Sequence, residues 1–214
     1  MSKVVVIGST HSEKGICTSD MLYKALERIQ PKCIFLEASP EKCRQVFKGQ
    51  LRDNLETKTV KKYLTKYKSD YIPVDLNSLP SREKFQKMMN TFNNNPEYYR
   101  VLTEYNYLSG LWGFEFLSSP EGDEKQDYLN FLESDIVRIM GNEELLNMYK
   151  EWSSLNDMRE NQWISKINEY HSKNEVNITV FLVGSGHRVR LMEKIKNRGL
   201  NEKSKPLWNF YYFN

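Results

Sequence analysis

Hydrophobic residues follow two rhythms along this chain. Short unbroken runs, Val4-Val5-Val6-Ile7, Cys33-Ile34-Phe35-Leu36 and Ile178-Thr179-Val180-Phe181-Leu182-Val183, predict strands buried on both faces. Tyr71–Asp75 predicts a further strand, with Pro73 suited to a strand end or an edge. Trp208–Phe213 predicts a last one. Elsewhere the apolar positions recur at helical spacing. Asp20 is the expected cap of a helix that presents Met21, Leu22, Ala25, Leu26 and Ile29 on one face, with Pro31 ending it. Residues 41–68 are charged and helical in pattern, and their lysines (Lys58, Lys61, Lys62, Lys66, Lys68) read as a solvated face.

From Ser81 to about Ser172 strand signals vanish. One helix starts at Pro96 and runs through Tyr105, Leu108 and Leu111 towards Phe116, and Pro120–Asp123 reads as a turn. Helices follow over about 126–140 and 143–155, separated by Gly141-Asn142, and a last one over 158–171 is capped by Asn156 or Asp157. The Trp112, Trp152 and Trp163 side chains are expected in helix packing, and His171 at an exposed helix end. Past the strand at 178–183, a basic helix spans Val189–Lys196 and stops at Gly199. Strand, helix, strand near the start implies a parallel crossover. The fold class expected is α/β: a mostly parallel central sheet with flanking helices, a single domain over 1–214, with a helical insertion over about 81–172 that covers one rim of the sheet.

Composition narrows the function classes. A net charge of +3, with basic and acidic residues intermixed, gives no footprint for nucleic acid. Cys17, Cys33 and Cys43 are odd in number and lack Cys-x-x-Cys spacing, which argues for a reducing compartment over a disulfide framework. No apolar run approaches the roughly 20 residues of a membrane helix, and no export signal opens the chain. The expectation is a cytoplasmic protein with a small-molecule or peptide substrate, no nucleic-acid or membrane partner, and a possible homodimer through the aromatic-rich 207–213 edge.

Candidate chemistry gathers where the strands end. Gly8-Ser9-Thr10-His11 and Gly184-Ser185-Gly186-His187 each deliver Gly-x-x-His after a buried strand, and Glu37 and Asp75 end the second and third strands. In open α/β sheets that rim is where ligands bind. Two imidazoles and a carboxylate (His11, His187, Glu37) suit a divalent ion, zinc or manganese rather than magnesium, with a position left for water. Such an ion acidifies its water and supports hydrolysis. Glu13 reads as a solvated loop carboxylate, and Arg188 and Arg190 as an exposed face that could draw in an anionic substrate. Gly184-Ser185-Gly186 lacks the third glycine of a dinucleotide fingerprint, since position 189 is Val. Ser9, Ser12 and Ser185 lie beside the histidines, but no Gly-x-Ser-x-Gly elbow exists.

These residues resemble the TraB/PrgY–Tiki family, within the wider superfamily that holds erythromycin esterase and the ChaN-like haem-binding proteins. The resemblance rests on Gly8-Ser9-Thr10-His11, on Glu37, and on Val183-Gly184-Ser185-Gly186-His187. It implies an arginine at the start of the helix before the second motif, which here is Arg159. The family usually has Asp or Asn where Glu160 stands, and Asp-Arg where this chain has Asp75-Leu76. What the resemblance implies is a metal-dependent hydrolase of a peptide or lactone-like ester bond. His11, Glu37 and His187 would be metal ligands or a catalytic base with its partners. Arg159 would hold an oxyanion or form a salt bridge to Glu37 or Asp75, and Asp75 would orient its neighbours. A non-enzymatic binder of a small ligand or peptide on the same scaffold is the alternative.

Overall fold

The computed structural model describes residues 2–76, 81–198, 206–211 and 213. Five strands, β1 (Lys3–Ser9), β2 (Cys33–Leu36), β3 (Asp70–Pro73), β4 (Ile178–Gly184) and β5 (Leu207–Asn209), form one sheet in the order β3-β2-β4-β1-β5. Every pairing is parallel. The last long strand of the chain therefore lies between the first two. Ser9 is paired with Gly184, and Leu36 with Leu182, so β1, β2 and β4 end side by side.

Alternation along the central strands divides the core into two layers. Val5, Ile7, Ile34, Leu36, Val180 and Leu182 face α1 (Ser19–Ile29) and α3 (Leu55–Leu64) through Leu22, Leu26, Val60 and Tyr63. Val4, Val6, Phe35, Phe181 and Val183 face the other way. They meet Trp163, Ile164 and Ile167 of α8 (Glu143–Lys173) and Leu191 of α9 (Arg188–Asn197). The remaining helices are α2 (Pro40–Phe47), α4 (Arg82–Asn93), α5 (Pro96–Trp112), the short α6 (Phe114–Leu117) and α7 (Pro120–Met140). Helices α4 to α8 fill the expected insertion. It docks on the rim: Ile16 N–H donates to Gly110 O at 2.9 Å, and a Cβ on Gly8 would stand 2.9 Å from Leu117 O.

Several local expectations give way to specific contacts. Thr18 rather than Asp20 caps α1, its hydroxyl accepting from Met21 N–H, and Met21 is exposed. Pro120–Asp123 is the first turn of α7, because Ser119 caps it and Pro120 fits the first helical position. Asn156 and Asp157 interrupt nothing. Their side chains pair with Arg159 and Lys194, so one helix of 31 residues replaces the two expected. His171 is buried, its Nε2 2.9 Å from the Thr179 hydroxyl. Trp112 is 55% exposed, whereas Trp163 is fully buried. The final strand is only Leu207–Asn209, and Gly199 and Tyr212 lie outside the described residues.

Arg188 is also not on an exposed face. Its guanidinium is fully buried and bonds both oxygens of Asp123 (3.0 and 3.1 Å), and it donates to the Val6 and Phe210 carbonyls. It clasps α7 and the segment after β5 to β1. Breaking a buried pair from one side leaves an uncompensated charge. Arg188→Met should cost about 3–5 kcal/mol in urea unfolding, and adding Asp123→Asn should recover part of that loss. Loss below about 1 kcal/mol would contradict the clasp.

Candidate functional site

Glu37 sits one residue past β2, at the junction of three strand ends, with an almost fully buried side chain. Its Oε1 accepts from Arg159 Nη2 at 2.7 Å, and its Oε2 accepts from Gly184 N–H at 2.6 Å. Two imidazoles flank it: His187 Nε2 lies 3.5 Å from Oε1, and His11 Nε2 lies 3.8 Å from Oε2. The expected set of His11, Glu37, His187, Arg159 and Asp75 is therefore brought together in one hollow at the C-terminal ends of β1, β2 and β4.

Each imidazole is fastened by a carboxylate of its own. His11 Nδ1 is 2.8 Å from Glu56 Oε1 on α3, and His187 Nδ1 is 2.8 Å from Glu160 Oε1 on α8. The layer of helices on each face of the sheet thus contributes one acid. The Ser9 hydroxyl donates to the same Glu56 oxygen, which takes Ser9 out of nucleophile duty and makes it a support. Arg190 Nε donates to the other Glu160 oxygen at 3.1 Å. Trp163 stands edge-on to the His187 ring, with centroids 4.9 Å apart. The His11 side chain is 48% exposed and that of His187 only 14%, so the hollow meets solvent on the His11 side.

Neither Glu56 nor Glu160 was expected at the site. Glu56 lay hidden in a segment read as solvated. A signal for it exists: Glu56, Thr59, Val60 and Tyr63 share one helix face, and all four are buried. Glu160 is placed likewise with Trp163, Ile164 and Ile167.

Arg159 fills both roles foreseen as its salt-bridge reading. Nε and Nη2 make a two-pronged contact with Asp75 at 2.9 Å each, Nη1 donates to Asn156 Oδ1 at 3.1 Å, and Nη2 also reaches Glu37. Asp75 accepts as well from Trp163 Nε1 at 2.9 Å. With its donors so committed, Arg159 holds Glu37 in place, and Asp75 holds Arg159. Glu13, about half exposed, accepts from Ser19 and Lys58 and serves the start of α1.

Backbone conformation is adapted to the same end. His11 has φ of 59°, in the left-handed region that few non-glycine residues occupy. A Cβ on Gly184 would lie 2.9 Å from His11 Nε2 and 3.2 Å from Glu37 Oε2. The glycine of the second motif is what allows the first histidine to approach β4. Gly186 has no such constraint: its nearest neighbour is the Gln126 side chain at 3.9 Å.

The charges are interdependent. Burial alone would lower the His11 pKa. The hydrogen bond and charge of Glu56, with the charge of Glu37, outweigh it and raise the value to about 9. His187 is raised for the same reason, against burial, by Glu160 and Glu37. Burial would raise Glu37, but His187, His11 and Arg159 hold it well below the usual carboxylate range. Among the described residues, no three His, Cys, Asp or Glu side chains form a ready-made metal cage. The donor types present, imidazole nitrogen and carboxylate oxygen, are those a borderline divalent ion takes. Two Nε2 atoms face one carboxylate, and each Nδ1 is tied to an acid, the arrangement that orients metal-binding histidines.

Comparison with protein-family models, curated proteins and solved structures gave no match. The fold and the geometry of the hollow therefore carry the functional argument.

The link between Glu56 and His11 can be measured. In chelator-treated protein, the His11 imidazole should titrate near 9 by NMR, and Glu56→Gln should move it down towards 6.5. Because the folded pKa is raised, the protonated imidazole contributes stability below pH 6.5 that fades as pH rises through about 9. Glu56→Gln should flatten that part of the stability profile. An unchanged His11 titration would refute the coupling.

Proposed function

We propose that this hollow is the active site of a hydrolase that cleaves a peptide or ester bond with the help of a divalent ion, zinc or manganese. The observation that carries the reading is the meeting of two imidazoles over one buried carboxylate, each imidazole anchored through Nδ1 on an acid of its own. The resemblance to the TraB/PrgY–Tiki group supports it, since His11, Glu37, Arg159 and His187 converge here.

His11, His187 and Glu37 would hold the ion, which when bound supplies an acidified water and polarises the scissile carbonyl. The chain's own residues do the rest. With an ion bound, the Nε2 protons of the two rings would be displaced, and Glu56 and Glu160 would fix the Nδ1–H tautomer so that each Nε2 lone pair turns inward. Arg159 and the Gly184 N–H keep the Glu37 carboxylate from swinging away. Trp163 closes the buried side against water, and substrate approaches past the exposed edge of His11. The three cysteines are free and buried, and among the described residues no helix is long and apolar enough to cross a membrane. The unpaired cysteines suit a reducing compartment, and we assign the reaction to the cytoplasm on that ground.

One observation favours the alternative, a regulatory protein that binds a small ligand or peptide without turnover. Arg159 and the Gly184 N–H already satisfy Glu37, so the central carboxylate has its hydrogen bonds without a ligand. Elemental analysis separates the two readings, together with a screen of fluorogenic peptides, aryl esters and lactones, each with and without chelator. The hydrolase should carry about one ion per chain, lose turnover with chelator, and regain it with zinc or manganese. His11→Ala and His187→Ala should abolish ion retention, and Glu56→Gln or Glu160→Gln should weaken ion affinity or activity about 10–100-fold. Undiminished turnover in the histidine variants would overturn the proposal. Peptide binding without ion or turnover would establish the binder.

A further inference from the structure

A cleft of about 350 Å³ opens beside the hollow, between α7, α8 and α9, and reaches the hollow through Gly186, His187 and Asn156. His187 belongs to both, so whatever occupies the cleft lies next to the reacting bond. Three carboxylates line it: Asp127, Glu133 and Glu193. Among the described residues none of the three makes an ion pair, and only Glu133 has a polar partner, the Tyr98 hydroxyl at 3.0 Å. The basic groups of the lining are engaged elsewhere: Arg190 pairs with Glu160, although its charge also reaches Glu133, and His187 faces Glu160 and Glu37. Asp127 and Glu193, both exposed, therefore give the cleft negative charge that no lining cation pairs among the described residues. Part-buried Tyr149 and Trp152 supply an aromatic wall.

Carboxylates and aromatic faces lining the same cleft form a recognisable receptor. The carboxylates take the charged head of an ammonium or guanidinium, and the rings cover its alkyl stem and add cation–π attraction. An acidic side chain would be repelled, and a purely apolar one would leave the carboxylates without a partner. Burial also pushes the Glu133 carboxyl up to about 7, a cost that an incoming cation offsets.

We propose that this cleft is a specificity subsite for a lysine or arginine side chain of a peptide substrate, held by Asp127, Glu133 and Glu193 against Tyr149 and Trp152. The assignment rests on the hydrolase reading for its consequence, but the subsite can be tested by binding alone.

The probes are Nα-acetyl-lysine amide, Nα-acetyl-arginine amide, Nα-acetyl-norleucine amide and Nα-acetyl-glutamate amide, titrated into the full chain and followed by amide chemical shifts. The basic amides should bind at least about tenfold more tightly than norleucine amide, with shifts centred on α7, α8 and α9. Glu133→Gln with Glu193→Gln should remove that preference while leaving norleucine amide unaffected. Binding should persist in His11→Ala, which separates the subsite from the chemistry: a protein that binds the basic amides but turns nothing over sinks the hydrolase and not the subsite. Equal affinity for norleucine or glutamate amide, or shifts located elsewhere, would overturn the subsite.

Discussion

A carboxylate buried at a sheet edge is expensive unless every lone pair finds a donor. Glu37 is such a group, and much of the rim is arranged to satisfy it. Arg159 donates from α8 on one face and the Gly184 N–H from the end of β4, while an imidazole from each neighbouring strand end stands 3.5–3.8 Å away as a charge partner. Those partners carry obligations of their own. Arg159 needs Asp75, which in turn takes Trp163. His11 needs Glu56, and His187 needs Glu160. The charges thus alternate outward from Glu37 in three branches, through Arg159 to Asp75, through His11 to Glu56, and through His187 to Glu160 and on to Arg190. Removal of Arg159 would leave both Asp75 and Glu37 short of their buried cation, the most costly break in the network.

Such a network suits a site for ion-assisted hydrolysis for a physical reason. Imidazoles are useful only when their reactive nitrogens are presented in a fixed direction, and that direction is set from behind. Here both are set from behind by acids borne on helices, while the rim itself stays accessible at His11. The acidic cleft on the far side of His187 extends the same logic from chemistry to recognition.

The strands were legible because a strand buried on both faces must be apolar without interruption, and the runs at 4–7, 33–36 and 178–183 are. The three site residues at their ends followed from that, since a parallel sheet puts all strand ends at one rim. The supporting acids were not legible in the same way. Glu56 and Glu160 look like surface residues of charged helices, and only the largely apolar residues three, four and seven positions further on betray that their face is buried. Helix ends misled where side chains had two possible employers. Asn156 and Asp157 are good caps in isolation, but tertiary partners claim them, and α8 runs on through both. Arg188 follows His187 in the chain and looked exposed for want of a visible partner. Asp123, 65 positions away in sequence, is that partner.

The strand order has a consequence for how the molecule comes into being. Strand β4, which begins at Ile178, fills the slot between β1 and β2, so during synthesis those two early strands wait with unsatisfied edges until most of the polypeptide has emerged. Loop closure across such a separation is slow, and unpaired edges invite association with other chains. The nascent protein is therefore most vulnerable just before its last quarter arrives, and the hollow, which needs the end of β4 to exist at all, is completed in the same step that removes the hazard.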